Sequence, residues 1–384
     1  MADEMHLSTV EEVLKHPSYP DATFNLKPTS SGLLPVAEGR GGPLKIGWEI
    51  HGSGPIRMVF IMGLGSFKSS WQRQTLYFGH ERHADFSVLL VDNRGMGDSD
   101  KPLMRYSTSE MALDVVEVLE HVGFVERTPA GSESAAGLAF TPASQRAVHV
   151  IGVSMGGMIA QELACMAPTI VASLSLCCTA AAIENTSPTI WQNLASRAAL
   201  IVPKGVEESV RGAAGRIFAH DWLPQPDNVQ LPKRGTHLVG PPQRGCHGDQ
   251  KQQDDTDDKD DPWYRLFDNN YQRFVAQEMH KRLDPRFSTA GFLMQLIACG
   301  WHHKSPQQLV TMADQIGRDR ILVLHGTADH MISLPHGRKL IEYIQPGAAH
   351  IIEGMGHAPL AERCTWYNNL LEERARAGEK LAGR

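Results

Sequence analysis

Cysteine, basic charge and long apolar runs are all scarce in this chain of 384 residues. Six cysteines at irregular spacings do not form a disulfide framework. Cys165, Cys177 and Cys178 lie in apolar segments, which is typical of small buried side chains in a reducing compartment. The most apolar run, residues 174–183, has about half the length that a bilayer-spanning helix needs. We therefore expect a protein without disulfides and without a membrane span.

The charge balance is acidic, with 37 Lys and Arg against 43 Asp and Glu and a net charge of −6. An acidic chain is poorly suited to nucleic acid or to an anionic membrane as its main partner. The first six residues are acidic and lack the apolar stretch of a secretory signal. We therefore expect a soluble, cytoplasmic protein. Nothing in the sequence specifies its oligomeric state.

One stretch near the middle of the chain has the pattern of a nucleophile elbow. Residues 147–151 form a short apolar strand pattern, and residues 158–166 repeat apolar side chains at helical spacing. Between them, Gly152, Ser154 and Gly156 match the pattern Gly-x-Ser-x-Gly. Such a turn is so sharp that the flanking positions tolerate almost no side chain. The pattern predicts a serine raised above the sheet edge at the positive end of a helix.

Strand and helix patterns alternate on both sides of this stretch. Hydrophobic residues make up 42% of the chain, which is enough for a large core, and the length fits one α/β domain with insertions. Strands are predicted at residues 56–62, 87–91, 147–151, 170–178, 320–324 and 348–352, after two strand-like pieces within 33–50. This alternation predicts an α/β fold with a mostly parallel central sheet flanked by helices. We expect its core to comprise residues 33–179 and 319–384, after a polar, loosely packed arm at 1–32.

The alternation stops between residues 180 and 318, where only helical patterns occur. They lie at residues 189–200, 206–219, 270–282, 289–299 and 306–314, and predict an inserted helical cap. The cap contains residues 223–262, whose aspartates lack the defined loop and glycine turn of an EF-hand. We therefore interpret 223–262 as a disordered acidic loop and expect no bound metal.

Two loops after the insertion supply partners for the serine. A serine hydroxyl needs a base to remove its proton, and the base needs an orienting acid. Asp329 follows the strand at 320–324, and His357 follows the strand at 348–352. Loops at the carboxyl ends of parallel strands gather at one edge of the sheet, so both side chains are expected near Ser154. Glu184, after the strand at 170–178, is an alternative position for the acid.

A tetrahedral intermediate also needs hydrogen-bond donors for its oxyanion. The backbone N–H of Met155, at the predicted start of the helix, is one candidate. The other is the N–H of Leu64, in the glycine-containing loop that follows the strand at 56–62. We therefore predict an oxyanion hole formed by Leu64 and Met155.

Together these stretches resemble the α/β-hydrolase fold family over about residues 33–375. The resemblance is carried by residues 91–99, 152–157 and 356–362. It implies Ser154 as nucleophile, His357 as base and Asp329 as orienting acid, with Leu64 and Met155 as the oxyanion hole. One departure is the Met-Gly that stands at residues 62–63, where the family often has His-Gly.

The resemblance implies a serine hydrolase that needs no cofactor. We expect it to cleave an ester or a lactone of a small apolar molecule through an acyl-enzyme. A serine at the elbow disfavours the epoxide hydrolase and haloalkane dehalogenase branches, whose nucleophile is an aspartate. Thioesterase, lipase and C–C hydrolase activities stay open. So does a ligand receptor that keeps the hydrolase fold without turnover.

Overall fold

A computed structural model describes residues 7–128, 138–184, 204–242 and 263–384. The described chain contains one sheet of eight strands. They are β1 (Ser30–Val36), β2 (Leu44–Gly52), β3 (Ile56–Ile61), β4 (Phe86–Val91), β5 (Val148–Val153), β6 (Val171–Cys177), β7 (Ile321–Gly326) and β8 (Ala348–Ile352). Their order across the sheet is β1-β2-β4-β3-β5-β6-β7-β8. The β1–β2 and β2–β4 pairings are antiparallel and the other five are parallel, which confirms the predicted, mostly parallel sheet.

Helices cover both faces of the sheet, and several lie in the described part of the segment between β6 and β7. They are α1 (Val10–Leu14), α2 (Gln72–Thr75), α3 (Thr108–His121), α4 (Met155–Met166), α5 (Val206–Ile217), α6 (Asn270–Leu283), α7 (Thr289–Trp301), α8 (Pro306–Ile316), α9 (Leu334–Ile344), α10 (Pro359–Glu362) and α11 (Cys364–Leu381). Among the residues that the structure describes, no helix is both long enough and apolar enough to cross a bilayer. The predicted helix at 189–200 lies outside the described residues.

The core is two apolar layers, one on each face of the sheet. Strands β4, β5, β6 and β7 are buried along their whole length, because both of their faces are covered. One layer packs α3, α4, α8 and α9 against the sheet. The other packs α11 and the segment around Trp71 and Phe78 against the opposite face. These layers fix the carboxyl ends of β3, β5, β7 and β8 at one edge.

Helix α8 differs from its predicted place in the inserted cap. Leu309, Met312 and Ile316 of α8 are buried in the same cluster as Leu163 of α4 and Leu340 of α9. The apolar face of α8 therefore covers the sheet, and α8 belongs to the sheet layer. Sequence periodicity shows that a helix is amphipathic but does not show which surface its apolar face covers.

The N-terminal arm is packed more closely than predicted. Val13 and Ala22 are buried among apolar side chains of α5 and α6. The backbone N–H of Val10 donates a hydrogen bond to Glu207 Oε2 of α5 at 2.7 Å. A polar segment with a few well-spaced apolar residues can still cover a neighbouring surface, and composition alone missed these contacts.

The predicted disordered loop, residues 223–262, is packed in its first half. Leu223 and Val229 are buried, and Leu26 pairs with Val239 in an isolated bridge. The carboxylate of Asp227 is buried 2.5 Å from Arg273 Nε of α6. The prediction was therefore wrong for residues 223–242, where buried side chains and an ion pair fix the chain. Residues 243–262, which hold the run of aspartates, lie outside the described residues.

Candidate active site

Ser154 occupies the turn between β5 and α4 in a strained backbone conformation. Its φ of 58° and ψ of −125° lie in a region that residues with a side chain rarely adopt. Such a conformation costs about 1–3 kcal/mol and persists only where neighbouring groups hold it. Here Ser154 N–H donates to Cys177 O at 3.0 Å, and Thr179 Oγ1 donates to Ser154 O at 2.7 Å. The end of β6 and the residues after it thus hold the strained turn.

The glycines on either side of Ser154 are required by close backbone contacts. A Cβ on Gly152 would lie 2.3 Å from Gly156 O, and a Cβ on Gly156 would lie 2.0 Å from Ile61 O. Both distances are far below a normal van der Waals contact. Helix α4 therefore starts almost in contact with the end of β3, and the Gly-x-Ser-x-Gly pattern reflects this packing.

Asp329 and His357 are hydrogen-bonded to each other at the same edge of the sheet. His357 Nδ1 lies 2.7 Å from Asp329 Oδ2, and the Asp329 side chain is buried. The other oxygen, Asp329 Oδ1, accepts the backbone N–H groups of Met331 at 2.9 Å and Ile332 at 2.8 Å. Three donors thus satisfy the two oxygens of the carboxylate. The backbone N–H of His357 donates to Ile217 O of α5 at 2.6 Å.

A cavity of about 990 Å³ joins these groups. Ser154, Asp329 and His357 all contribute to its wall, together with Leu64 and Met155. In the described part of the chain, Ser154 Oγ has no hydrogen-bond partner, so its hydroxyl is available to a bound molecule. The structure thus places all five predicted site residues around one cavity.

The loop after β3 lies directly beside the serine. A Cβ on Gly63 would lie 3.0 Å from Ser154 Cβ and 3.5 Å from Ser154 Oγ, so this backbone can approach the hydroxyl closely. Leu64 follows Gly63 at the cavity wall. Met155 is the first residue of α4, where the amide N–H has no partner inside the helix.

Gln295 of α7 holds this loop in place, a role that no pattern in the sequence indicated. Its Oε1 accepts the backbone N–H of Gly65 at 2.8 Å, and its Nε2 donates to Arg94 O at 2.9 Å. The side chain is fully buried. Gln295 thus ties together the loops that follow β3 and β4. A contact between residues 230 positions apart cannot be read from local patterns.

Glu184, the alternative acid, lies elsewhere in the cavity wall. Its carboxylate is paired with Lys339 and is half exposed. Its backbone N–H donates to His336 Nε2 at 3.1 Å. The structure brings Asp329, and not Glu184, into contact with His357.

Cys178, Asp329 and His357 form the one group of described residues with three potential metal ligands close together, within 4.8 Å of one another. Burial raises the pKa of the Cys178 thiol well above its usual value, which keeps it protonated. Because metals bind the thiolate, a neutral thiol is a poor ligand. Asp329 and His357 are also already bonded to each other. The donor set therefore suits proton transfer better than metal binding.

Glu362 connects the His357 loop to the inserted helices. Its Oε2 accepts the backbone N–H of Gly356 at 2.9 Å, and its Oε1 accepts that of Ala219 at 3.2 Å. Gly356 immediately precedes His357, and Ala219 lies just beyond α5. Burial raises the pKa of Glu362 to about 7, against the two backbone hydrogen bonds that lower it. This carboxyl group is a second residue that strand order and local patterns did not reveal.

The raised pKa makes the contribution of Glu362 to stability depend on pH. A carboxyl group whose pKa is higher in the folded state stabilises the fold below its unfolded pKa of about 4.5. That contribution, about 1–3 kcal/mol, is lost as the pH rises through about 7. In Glu362→Gln the amide cannot titrate, and its NH₂ group must face one of the two backbone donors. Thermal unfolding between pH 5 and 8 should therefore show a wild-type advantage that is largest near pH 5.

The wild type and Glu362→Gln share all other titrating groups. The difference between their unfolding free energies at each pH therefore isolates the contribution of Glu362. The difference in unfolding free energy should shrink steadily toward pH 8. A difference that stays constant across this range would contradict the assigned titration of Glu362.

Comparisons with known proteins place this geometry in context. A profile described as Alpha/beta hydrolase family matches residues 50–369. A putative carbamate hydrolase RutD of Azorhizobium caulinodans is 33% identical over 144 residues, which cover 37% of this chain and 43% of the relative. The acetyltransferase component of an acetoin cleaving system (dihydrolipoyllysine-residue) of Pseudomonas putida is 28% identical over 148 residues, covering 38% and 33%. The matches thus span well under two thirds of these curated relatives.

Solved structures extend the likeness to nearly the whole chain. The crystal structure of the enol-lactonase from Burkholderia xenovorans superposes with a TM-score of 0.57 at 19% sequence identity. The match covers 89% of this chain and 99% of the lactonase. At this identity the likeness shows a shared fold and carries no information on the substrate.

Proposed function

Because this chain belongs to the alpha/beta hydrolase family, we propose that it is a serine hydrolase that cleaves an ester or a lactone of a small molecule. One observation carries the proposal. The Asp329–His357 pair and Ser154, on its strained turn, line the same cavity. Nucleophile, base and orienting acid are the three groups that acyl transfer to a serine requires.

In the proposed mechanism, His357 Nε2 accepts the proton of Ser154 as Oγ attacks the substrate carbonyl. Asp329 accepts the hydrogen bond from Nδ1–H, which fixes the tautomer and stabilises the imidazolium. The backbone N–H groups of Leu64 and Met155 stabilise the negative oxygen of the tetrahedral intermediate. His357 then protonates the leaving alcohol, and an acyl-enzyme remains.

Water completes the cycle. His357 accepts a proton from a water molecule, whose oxygen attacks the acyl carbonyl and releases the acid. As this second tetrahedral intermediate collapses, His357 returns the proton to Ser154 Oγ. Every proton in this cycle moves through His357, so the reaction needs no cofactor.

The cavity wall supports a small substrate with an apolar body. Its volume of about 990 Å³ is in the range of pockets that enclose a single small molecule. The wall is mostly apolar near the serine. Its apolar side chains include Met158, Ile183, Phe292, Met294 and Leu296.

Labelling with a fluorophosphonate probe tests the proposal directly. The purified protein should be labelled rapidly at Ser154, and prior treatment with phenylmethylsulfonyl fluoride should block the label. A panel of esters, lactones, thioesters and carbamates should then show multiple turnovers on an ester or a lactone. Rapid labelling without turnover on any member would favour a ligand receptor, and turnover on thioesters or carbamates alone would replace the proposed bond type.

A further inference from the structure

The charged side chains in the cavity wall are nearly all paired. Each described carboxylate of the wall has a cationic or imidazole partner within 4.0 Å. Besides Asp329–His357, the pairs are Lys204–Glu208, Glu278–Lys281, Glu278–Arg282 and Glu184–Lys339. Arg216 of α5 is the exception among the described charged residues that line the cavity. Its guanidinium forms no ion pair and no hydrogen bond with any described residue.

The backbone of Arg216 is close to the loop that carries the proposed base. The next residue, Ile217, accepts the backbone N–H of His357 through its carbonyl oxygen at 2.6 Å. Consecutive Cα atoms are about 3.8 Å apart, so the Arg216 backbone lies beside the His357 loop. One helical turn earlier, a Cβ on Gly212 would lie 3.3 Å from Arg216 Nη1. The side chain therefore folds back along α5, where glycine leaves room for it.

An unpaired guanidinium in this position is energetically unfavourable. Arg216 Nε is buried and has no hydrogen-bond partner. A buried donor left unsatisfied destabilises the protein, and does so more strongly when the group is charged. Burial also lowers the pKa of Arg216, and no carboxylate among the described residues is near enough to raise it again. A bound anion would satisfy the donors and restore the balance of charge.

We propose that Arg216 binds a carboxylate of the substrate, so that the preferred ester or lactone is a monoanion with an apolar body. This inference rests on the proposed serine hydrolase function. The Nε–H and one Nη–H of a guanidinium form a fork that matches the two oxygens of a carboxylate. Because Arg216 is the one unpaired cation of the described cavity wall, a single negative charge on the substrate would pair with it. The anion would lie on the α5 side of the cavity.

Two esters of matched shape test the charge preference. Mono-p-nitrophenyl adipate and p-nitrophenyl hexanoate differ by a terminal carboxylate in place of a methyl group. In Arg216→Met, the ratio of kcat/KM for adipate over hexanoate should fall about 10- to 100-fold, as expected for the loss of a charged hydrogen-bonded pair. Arg216→Lys keeps the charge but loses the fork, so its ratio should lie between those of the wild type and Arg216→Met.

Arg211→Met is the matched control. Arg211 is on the same helix, is half exposed and is paired with Glu207 at 3.3 Å. It does not line the cavity, so the substitution should leave the ratio unchanged. A ratio in Arg216→Met within twofold of the wild-type value would overturn the proposal. So would an equal fall in the Arg211→Met protein.

A binding measurement separates this inference from the proposed function. Calorimetric titration with octanoate and with octanamide needs no turnover. Octanoate should bind wild type and Arg211→Met alike, about 10- to 100-fold more tightly than Arg216→Met. Octanamide should not show this difference between the proteins. If Ser154→Ala still hydrolyses both esters, the proposed function fails, and the octanoate result still decides whether Arg216 binds an anion. Equal octanoate affinity in all three proteins refutes the anion site and leaves the proposed function standing.

Discussion

The Ser154→Ala protein is expected to hydrolyse p-nitrophenyl hexanoate with a kcat about 10⁶-fold below that of the wild type. The Ser154 hydroxyl is the only protein group in the proposed mechanism that forms a covalent bond to the substrate. The loss is not total, because binding in the cavity and the N–H groups of Leu64 and Met155 still favour the transition state for direct attack by water. Steady-state rates measured by p-nitrophenolate release, with titration of active sites in the wild type, give the ratio.

We expect Ser154→Ala to fold like the wild type, because the hydrogen bonds that hold the turn are made by the backbone of residue 154. Ser154 N–H donates to Cys177 O, and Ser154 O accepts from Thr179 Oγ1. Alanine keeps both contacts and carries the same positive φ strain. Circular dichroism and thermal unfolding should therefore match the wild type. A variant that is folded and retains the wild-type rate would refute Ser154 as nucleophile.

Much of the sheet could be predicted from the sequence because its central strands are buried on both faces. Continuous apolar runs such as β4 and β6 stand out from the polar loops around them. Strand β8 begins and ends at the predicted residues, 348–352. Because parallel strands run in the same direction, their carboxyl ends lie at one edge of the sheet. The predicted strands therefore also predicted the edge at which Ser154, Asp329 and His357 lie.

The parts that could not be predicted depend on contacts between distant segments. The amphipathic pattern of α8 is the same whether it covers the sheet or another helix, and here it covers the sheet. Gln295 looks like an ordinary polar helical residue in the sequence, and Glu362, although it lies in the stretch 356–362 that resembles the family, has no role that the sequence alone shows. Their role as links appears only when α7 and α10 are packed against the loops that they hold. Arg216 was likewise one charge among many until its neighbours were seen to be paired.

These links show why the inserted helices matter to chemistry at the sheet edge. Gln295 bonds the loop that contains Leu64, and Ile217 and Glu362 hold the segment around His357. Both attachments run between the sheet core and the helices α5 and α7. The position of the proposed base and of one oxyanion donor therefore depends on the same helices that line the cavity. A substrate that contacts α5 or α7 can thereby influence the alignment of the reacting groups.

The Asp329→Asn protein should show the second large effect, a fall in kcat of about 10⁴-fold. Asp329 Oδ1 accepts the N–H groups of Met331 and Ile332, so the asparagine oxygen must occupy that place. Its NH₂ group then faces His357 Nδ1, where the carboxylate oxygen had been. Nδ1 must become the acceptor, which puts the proton of the neutral ring on Nε2. A ring protonated at Nε2 cannot accept the Ser154 proton.

Glu184→Gln provides the matched control, because Glu184 was the rival acid and also lines the cavity. Its carboxylate is paired with Lys339 and does not contact His357, so we expect a kcat within about threefold of the wild type, as for an exposed ion pair. The imidazole ¹⁵N chemical shifts of His357 show which ring nitrogen carries the proton in each variant. The tautomer should change in Asp329→Asn and stay the same in Glu184→Gln. A large loss of kcat in Glu184→Gln with little loss in Asp329→Asn would instead assign the role of orienting acid to Glu184. Only one carboxylate can accept the hydrogen bond from His357 Nδ1–H.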